Sequence, residues 1–457
     1  MIDCSAVGLE VNSSTYKRRG GALLCGLLMM SGAYAEDWQP AQYGKDLVAA
    51  GVRPHAYFFS ETAHNVQGGT GHGTATSYQI IAGADFDLQK LVGLDNAWIH
   101  FLVNKRWGDS LNAEHLGTTF GPQESYGIEN TRLQELTWDQ SFFNGKLEVR
   151  AGRMSIITSD FFGSNAATFC QFQSEGICAS PYAFGRNNSN SIFPVPSWAA
   201  NVKYNITPHY YVRLGVGEDN KFQATEEQHG LNWNTHEKTG LYIPLEFGYR
   251  TSAKSDAYPT WLRGGVAFDT SKYSNPYEDR NGDSFQRSGL AADEEKGRQT
   301  YWVQLDQTIW HPGQAPTRSL NLIAGAVLAG DDSQNIAHQL YGGLILKGPF
   351  ESRPNDSVGL LLNNFKMSDS RYKFTSTARD LLGGDQSVHR DTFNMELNYG
   401  YQLTPSITLK PNLQVSIHPM QINTPTQSNP SDYVVVGLQA VVNIDKLLGI
   451  PDIPFSR

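Results

Sequence analysis

The side chains with the most chemical potential in this chain are charged groups at alternate positions. In Arg132-Leu-Gln-Glu-Leu-Thr-Trp-Asp-Gln140, Glu135 and Asp139 fall on one face of an extended backbone. Shortly after, Leu147-Glu-Val-Arg-Ala-Gly-Arg-Met154 sets Glu148 beside Arg150 in the same way. Arg106 closes an earlier run of this kind, and Trp302 sits on the polar face of a later one. Such groups form hydrogen bonds and ion pairs; none stands in a nucleophile–base motif. The chain carries neither His-Glu-x-x-His nor Gly-x-Ser-x-Gly, and its histidines are scattered. Asp279-Arg-Asn-Gly-Asp283 has part of the spacing of a calcium loop but lacks the distal Glu, so it reads as a polar loop tip. No metal or cofactor is expected.

The elements that carry these residues alternate with period two. Phe393, Met395, Leu397, Tyr399 and Tyr401 share one strand face, opposite Asn394, Glu396, Asn398, Gly400 and Gln402. After Thr404-Pro405 the pattern returns, with Ile407, Leu409, Leu413, Val415 and Ile417 against Thr408, Lys410, Asn412, Gln414 and Ser416. A second hairpin repeats it around Thr207-Pro208: Val202, Tyr204 and Ile206 lead in, and Tyr210, Val212, Leu214 and Val216 lead out. Proline presets the backbone of such turns and lacks a ladder donor. Two turns of one type place both hairpins on one rim. Further alternating runs cover Trp98 to Arg106, Tyr301 to Trp310 and Val434 to Ile444. The one helix expected in the mature chain spans Tyr43 to Ala50.

Two architectures fit a strand with one greasy and one polar face: a soluble sandwich, or a membrane barrel whose greasy face meets lipid. The mean hydropathy of −0.40 does not decide, because a barrel is apolar on only half of each strand. Three features select the barrel. Lys17, Arg18 and Arg19, the apolar run from Gly20 to Met30, and Ala33-Tyr34-Ala35 form an export signal, so maturation is expected before Glu36. Long polar stretches (67–77, 109–127, 223–240, 273–297 and 371–388) contrast with the short Thr-Pro turns. Aromatic residues gather at strand ends: Trp98, Trp107, Tyr204, Tyr210, Tyr399 and Tyr401. At about 25 residues per strand and loop, the chain allows roughly 16 strands. A barrel of that size encloses an aqueous channel. The expected division is therefore a signal peptide (1–35), a short N-terminal segment with a helix (36–55), an all-β, antiparallel transmembrane barrel (56–445) with short periplasmic turns and long extracellular loops, and a tail (446–457). A net charge of −9 with no basic stripe argues against nucleic-acid partners. Cys170 and Cys178, a close pair in an exported chain with no histidine cluster around it, are expected to form a disulfide.

Several segments together resemble the carbohydrate-selective porin family (OprB-type): Arg132 to Gln140, Leu147 to Met154, Asp160-Phe161, the Cys-bracketed stretch Phe169 to Cys178, Pro194 to Trp198, Gly264 to Ser271, the closing Thr404-Pro405 hairpin and, more loosely, Tyr43 to Gly51. The resemblance covers nearly the whole mature chain. It implies a 16-stranded outer-membrane channel that lets glucose and similar monosaccharides diffuse into the periplasm, and no enzymatic activity. Arg106, Glu135, Asp139, Glu148, Arg150 and Trp302 are then the candidates for the solute path and constriction; the competing role for each charge is to brace the barrel wall. Trp198 and Trp310 are further stacking candidates, and the Cys170–Cys178 loop is expected to fold inward. The expected partners are monosaccharides, outer-membrane lipids and the barrel-assembly machinery, with homo-oligomerisation open. The rival functions are a general diffusion porin without sugar preference and, further off, a barrel-embedded enzyme. The tail after Ile444 departs from the usual terminal aromatic strand.

Overall fold

The computed structural model describes residues 40–159, 161, 170–174, 176, 178, 180–187, 194–313, 318–330, 332–422 and 426–450. The export signal, Asp160 and the tail past Ile450 lie outside the described residues. Helix α1 (Pro40–Ala49) leads into the first strand. The strands that follow are β1 (Val52–Gly68), β2 (Gly73–Asp87), β3 (Ala97–Gly108), β4 (Thr131–Phe142), β5 (Leu147–Met154) and β6 (Ser197–Asn205). Next come β7 (Tyr210–Asp219), β8 (Gly240–Arg250), β9 (Thr260–Asp279), β10 (Ala292–Trp310) and β11 (Ser319–Ala329). The set ends with β12 (Ile336–Lys347), β13 (Ser357–Met367), β14 (Asp391–Thr404), β15 (Ile407–Ile417) and β16 (Tyr433–Asn443). Helix α2 (Tyr182–Asn187) lies between β5 and β6, α3 (Asp369–Leu381) between β13 and β14, and α4 (Ile444–Leu447) after β16.

Each strand pairs with its chain neighbours, and β1 pairs antiparallel with β16 to close a barrel. Closure follows from the outer face. Lipid offers no hydrogen bonds, so an unpaired edge strand is not tolerated there. The alternation read from the sequence holds in detail. Phe393, Leu397, Tyr401, Leu413 and Ile417 are exposed on the outside, while Glu396, Asn398, Asn412, Gln414 and Ser416 are buried within. The even strand number puts both ends of the barrel chain on one rim, with the tight connections 143–146, 206–209 and 405–406. At the first Thr-Pro turn, Thr207 Oγ1 accepts from the backbone N–H of His209 (3.1 Å) and Tyr210 (3.0 Å), which tightens the corner. The connections 109–130, 155–196, 220–239, 368–390 and 418–432 crowd the opposite rim.

Five expectations need correction. The stretches 67–77 and 273–297 are mostly strand, leaving only the connections 69–72 and 280–291. There the strands rise past lipid and turn polar on both faces, so their period-two signal vanishes. The stretch 371–388 holds α3, so α1 is not the only substantial helix; Ser368 Oγ caps α3 by accepting from the Arg371 N–H at 3.2 Å. Ile444 begins α4 instead of ending a strand, and Trp310 lies exposed on the outside, past a bulge at Thr308/Trp310, rather than facing a solute. Finally, the lumen is not polar throughout. Inward Tyr242, Trp302, Phe365 and Met367 form an apolar cluster with Phe120, Phe161, Phe184 and Met420 from the long connections. Loops that fold into a wet lumen need such a surface to bury against.

The outer face must stay apolar for insertion. Leu214, 53% exposed at mid-strand in β7, tests this. Leu214→Arg is expected to cost about 2–4 kcal/mol in lipid, measured by urea unfolding of the barrel in vesicles.

Candidate functional site

The inner walls of β3, β4 and β5 place the first group of charges. Asp139 and Arg150 are direct cross-strand partners, so both side chains enter the lumen at one level. Arg150 is buried, with an Nη2 donated to Glu135 and to Thr137, and its Nε 3.1 Å from Asp139 Oδ1. Thr137 Oγ1 donates to Glu135 Oε1 at 2.9 Å and fixes the carboxylate. The chain of partners continues around the wall. His100 bridges Asp139 (3.5 Å) and Asp85 (2.6 Å). His55 bridges Asp85 (2.7 Å) and Asp445 of α4 (3.0 Å). Glu135, Asp139 and Arg150, named from sequence, are thus brought together. His55, Asp85 and Asp445 were missed. Tyr57, Phe58 and Phe59 blur the period-two face of β1, and Asp445 is the last residue assigned to the barrel, just past the end of the alternating run.

The other three named residues lie apart. Glu148 is near the tight-turn rim, where it accepts from Lys203 Nζ (3.1 Å) and Asn205 Nδ2 (2.8 Å). Arg106 donates to the Tyr126 carbonyl at 3.1 Å and so holds the 109–130 connection; its guanidinium crosses Gly127, where a Cβ would sit 2.6 Å from Nη1. Trp302 is only 5% exposed. Its ring comes close to Gly265, and Phe184 of α2 meets it in an edge contact (centroids 6.0 Å, 80°). Any Cβ at position 265 would strike the indole at 2.6 Å, so that wall position demands glycine. Trp302 therefore supports the in-folded loop. Trp198 packs against Trp233 on the rim (5.5 Å).

Two long connections reach across the lumen, and a buried carboxylate grips each. Cys170 and Cys178 are disulfide-bonded, as expected, and their segment docks on the far wall. Glu396, 1% exposed on β14, accepts from the backbone N–H of Gln173 (2.9 Å) and Ser174 (2.7 Å), from Ser174 Oγ (2.6 Å) and from Asn398 Nδ2 (2.8 Å). Around it Lys410 Nζ donates to the Cys170 carbonyl (3.1 Å), and Gln339 Nε2 donates to the Gly176 carbonyl (2.9 Å). The 109–130 connection is held by Glu61 of β1, which accepts from the Ser125 N–H and from Gln439 Nε2, each at 2.7 Å. Gln414 Nε2 secures the Pro122 carbonyl at 3.1 Å. The two connections meet where Phe120 stacks on Phe365 (3.9 Å) and Tyr182 Oη donates to the Thr119 carbonyl (2.7 Å). The inward fold expected of the disulfide loop is observed; that of the first connection had no sequence signal, because its anchors lie far away in the chain.

A third group lines β7 to β9 towards the tight-turn rim. Tyr211 donates to Glu246 Oε1 (2.9 Å) and accepts from Trp261 Nε1 (3.1 Å). The guanidinium carbons of Arg263 and Arg250 lie 4.0 and 4.8 Å from the Trp261 ring centre. Among the described residues, no cluster of His, Cys, Asp and Glu is placed to hold a metal ion. The arrangement offers fixed charges, hydrogen-bonding groups and a narrowed route between two rims.

A closed barrel with strands greasy outside, polar walls within and loops folded into its bore is a porin, a channel of the bacterial outer membrane. More narrowly, the chain belongs to the carbohydrate-selective porin family, the OprB family, whose pattern matches residues 71–443. It is similar to Porin B of Pseudomonas aeruginosa, at 28% identity over 400 residues that cover 82% of this chain and 86% of that one. It is also similar to the putative porin QuiX of Acinetobacter baylyi, at 27% identity over 390 residues, 81% of this chain and 85% of that one. Among solved structures, the high-pH structure of Pseudomonas putida OprB superposes with a TM-score of 0.80 at 26% identity, covering 87% of this chain and 96% of that one. The chain is a carbohydrate-selective channel.

Removing the Glu396 anchor should release the disulfide loop. Hydrogen bonds to a charged group contribute about 1.5–3 kcal/mol each. Glu396→Ala is therefore expected to expose the 170–187 segment to protease and raise single-channel conductance in KCl. Both are measured on the purified barrel against wild type.

Proposed function

We propose that the channel passes glucose and similar monosaccharides down their gradient into the periplasm, through a gap bounded by the two in-folded connections and the Arg150 wall. The observation that carries this reading is the pair of buried carboxylates, Glu61 and Glu396, that fix those connections across the bore. Fixed loops keep the gap at one size. Asp139, the accessible member of the Glu135–Arg150–Asp139 group, offers carboxylate oxygens to sugar hydroxyls, at a strength weak enough to release the solute, while buried Arg150 and Glu135 hold it in place. Outer-membrane lipid covers the apolar belt, the barrel-assembly machinery inserts the chain, and transport involves no bond-breaking step. Association into homo-oligomers is compatible with the exposed outer face.

Proteoliposome swelling tests the reading. Glucose is expected to enter faster than an amino acid of similar size; equal rates would favour a general diffusion porin. Reduction of Cys170–Cys178 is expected to change glucose entry, because the disulfide closes the loop that narrows the bore. A further outcome concerns charge. Arg150→Gln leaves Glu135 and Asp139 without their cation, so the zero-current potential in a KCl gradient is expected to shift towards cation selectivity.

A further inference from the structure

A cavity of about 310 Å³ opens among the long connections, separate from the Arg150 wall. It is lined chiefly by 110–126, with Arg186 from the C-terminal end of α2's stretch and Gln421 from the connection between β15 and β16. All three segments belong to the long-loop rim. The volume lies at the lower end of the range for small-ligand sites. Its polar lining is made of hydroxyl, amide and guanidinium groups, including Ser110, Asn112, Thr118, Tyr126, Arg186 and Gln421, with no carboxylate. Arg186 brings one positive charge to the lining, and Glu129, Asp109 and Glu114, close enough to act on Tyr126, offset it, so the cavity suits a neutral solute dense in hydroxyls.

The cavity is held in shape before anything binds. Asn112 Oδ1 accepts from the Thr118 N–H and Oγ1, both at 3.0 Å, and Asn112 Nδ2 returns a bond to the Thr118 carbonyl at 2.9 Å. Gln421 Nε2 donates to the Gly117 carbonyl at 2.9 Å and ties the third connection to the first. Arg186 Nε donates to Tyr182 Oη at 2.5 Å, with its guanidinium 4.8 Å from that ring centre, so its direction is fixed. Arg106 pins the Tyr126 carbonyl from below. Against this bonded frame Tyr126 differs: its hydroxyl makes no hydrogen bond among the described residues, and it is half-buried rather than sealed. Burial first, and then the field of Glu129, Asp109 and Glu114, raise its pKa, so the phenol stays neutral and keeps its proton to donate. Ser110 Oγ is engaged as an acceptor from the Ala113 N–H at 3.1 Å, which leaves its proton to donate.

We propose that this cavity is an outer binding subsite for a neutral monosaccharide, which docks against Tyr126 and Arg186 before it reaches the Arg150 wall. Tyr126 supplies a ring face and a hydroxyl, Arg186 a planar set of donors, and the Asn112–Thr118 frame keeps them in place without rearrangement on binding. A docking step of this kind raises the local concentration of sugar at the narrow passage and makes uptake saturate at lower external sugar. The assignment rests on the reading of the channel as a monosaccharide porin.

The test is the concentration dependence of radiolabelled glucose uptake into proteoliposomes holding the full-length barrel, for wild type, Tyr126→Phe and Tyr126→Ala. Folding of each variant is checked by the heat-dependent mobility of the intact barrel on a gel. The Phe variant keeps the ring and loses the hydroxyl, so its half-saturating glucose concentration is expected to rise roughly three- to tenfold, the range covered by one neutral hydrogen bond. The Ala variant is expected to rise further. Uptake of a similar-sized neutral amino acid should not follow these changes. Unchanged half-saturation in both variants, or glucose and amino acid shifting together, would overturn the subsite while leaving the porin reading intact. A wild-type channel with no preference for glucose would overturn both, and that result is visible before any variant is made.

Discussion

Lipid accepts no hydrogen bonds, and that constraint shapes the whole molecule. Every backbone donor and acceptor inside the bilayer has to find its partner within the protein. The chain meets this by pairing β1 with β16 along the stretch from Tyr57 to Gly68, so that no strand is left as an edge. Closure in turn fixes what each residue can do. Outward positions such as Leu214 and Leu397 must be apolar, and inward positions such as Glu396 and Gln439 are free to be polar. The even strand count returns the end of β16 to the rim where β1 starts, and α4 there lends Asp445 to the His55–Asp85–His100 chain.

A ring this large encloses more space than a selective passage needs, so the bore is filled from one rim. The fill is held by a few buried carboxylates rather than by a continuous core. Glu396 accepts backbone N–H groups from the connection that starts on β5, far around the barrel, and Glu61 accepts one from the connection that starts on β3, two strands away. A buried carboxylate is costly unless its oxygens are satisfied, and here the loop backbone supplies the donors. Anchor and loop are therefore mutually dependent: the loop is ordered because the carboxylate holds it, and the carboxylate is tolerated because the loop covers it. The apolar cluster around Phe120, Phe365 and Trp302 adds the burial that keeps the two connections together.

The strands were legible because membrane alternation is a local pattern. Phe393 to Ile417 and Val202 to Val216 announce their faces residue by residue, and the Thr-Pro turns give their ends. The cross-strand pair Asp139–Arg150 was within reach for the same reason, since both positions follow from short-range period two. What sequence could not give was the pairing of residues far apart along the chain. Nothing near Gln173 or Ser125 points to Glu396 or Glu61, and nothing in Trp302 itself says that a helix from another loop lies over it. Residues past the lipid layer, such as those at the top of β9 and β10, lose the alternation that marks a strand, so their extent was underestimated. Helix α3 was hidden by low apolar content, although Ser368 followed by Asp369 offered a start signal.

The central claim is that the lumen is a narrowed, water-filled path that recognises sugar. Single-channel current through the purified wild-type protein in a planar bilayer, recorded while glucose is titrated, measures pore, membrane insertion and ligand together. The account predicts discrete openings whose current falls in a saturable way as glucose rises, with a smaller effect from an amino acid of the same size. Absence of openings, or a current that responds to glucose only as it does to any added osmolyte, would contradict it.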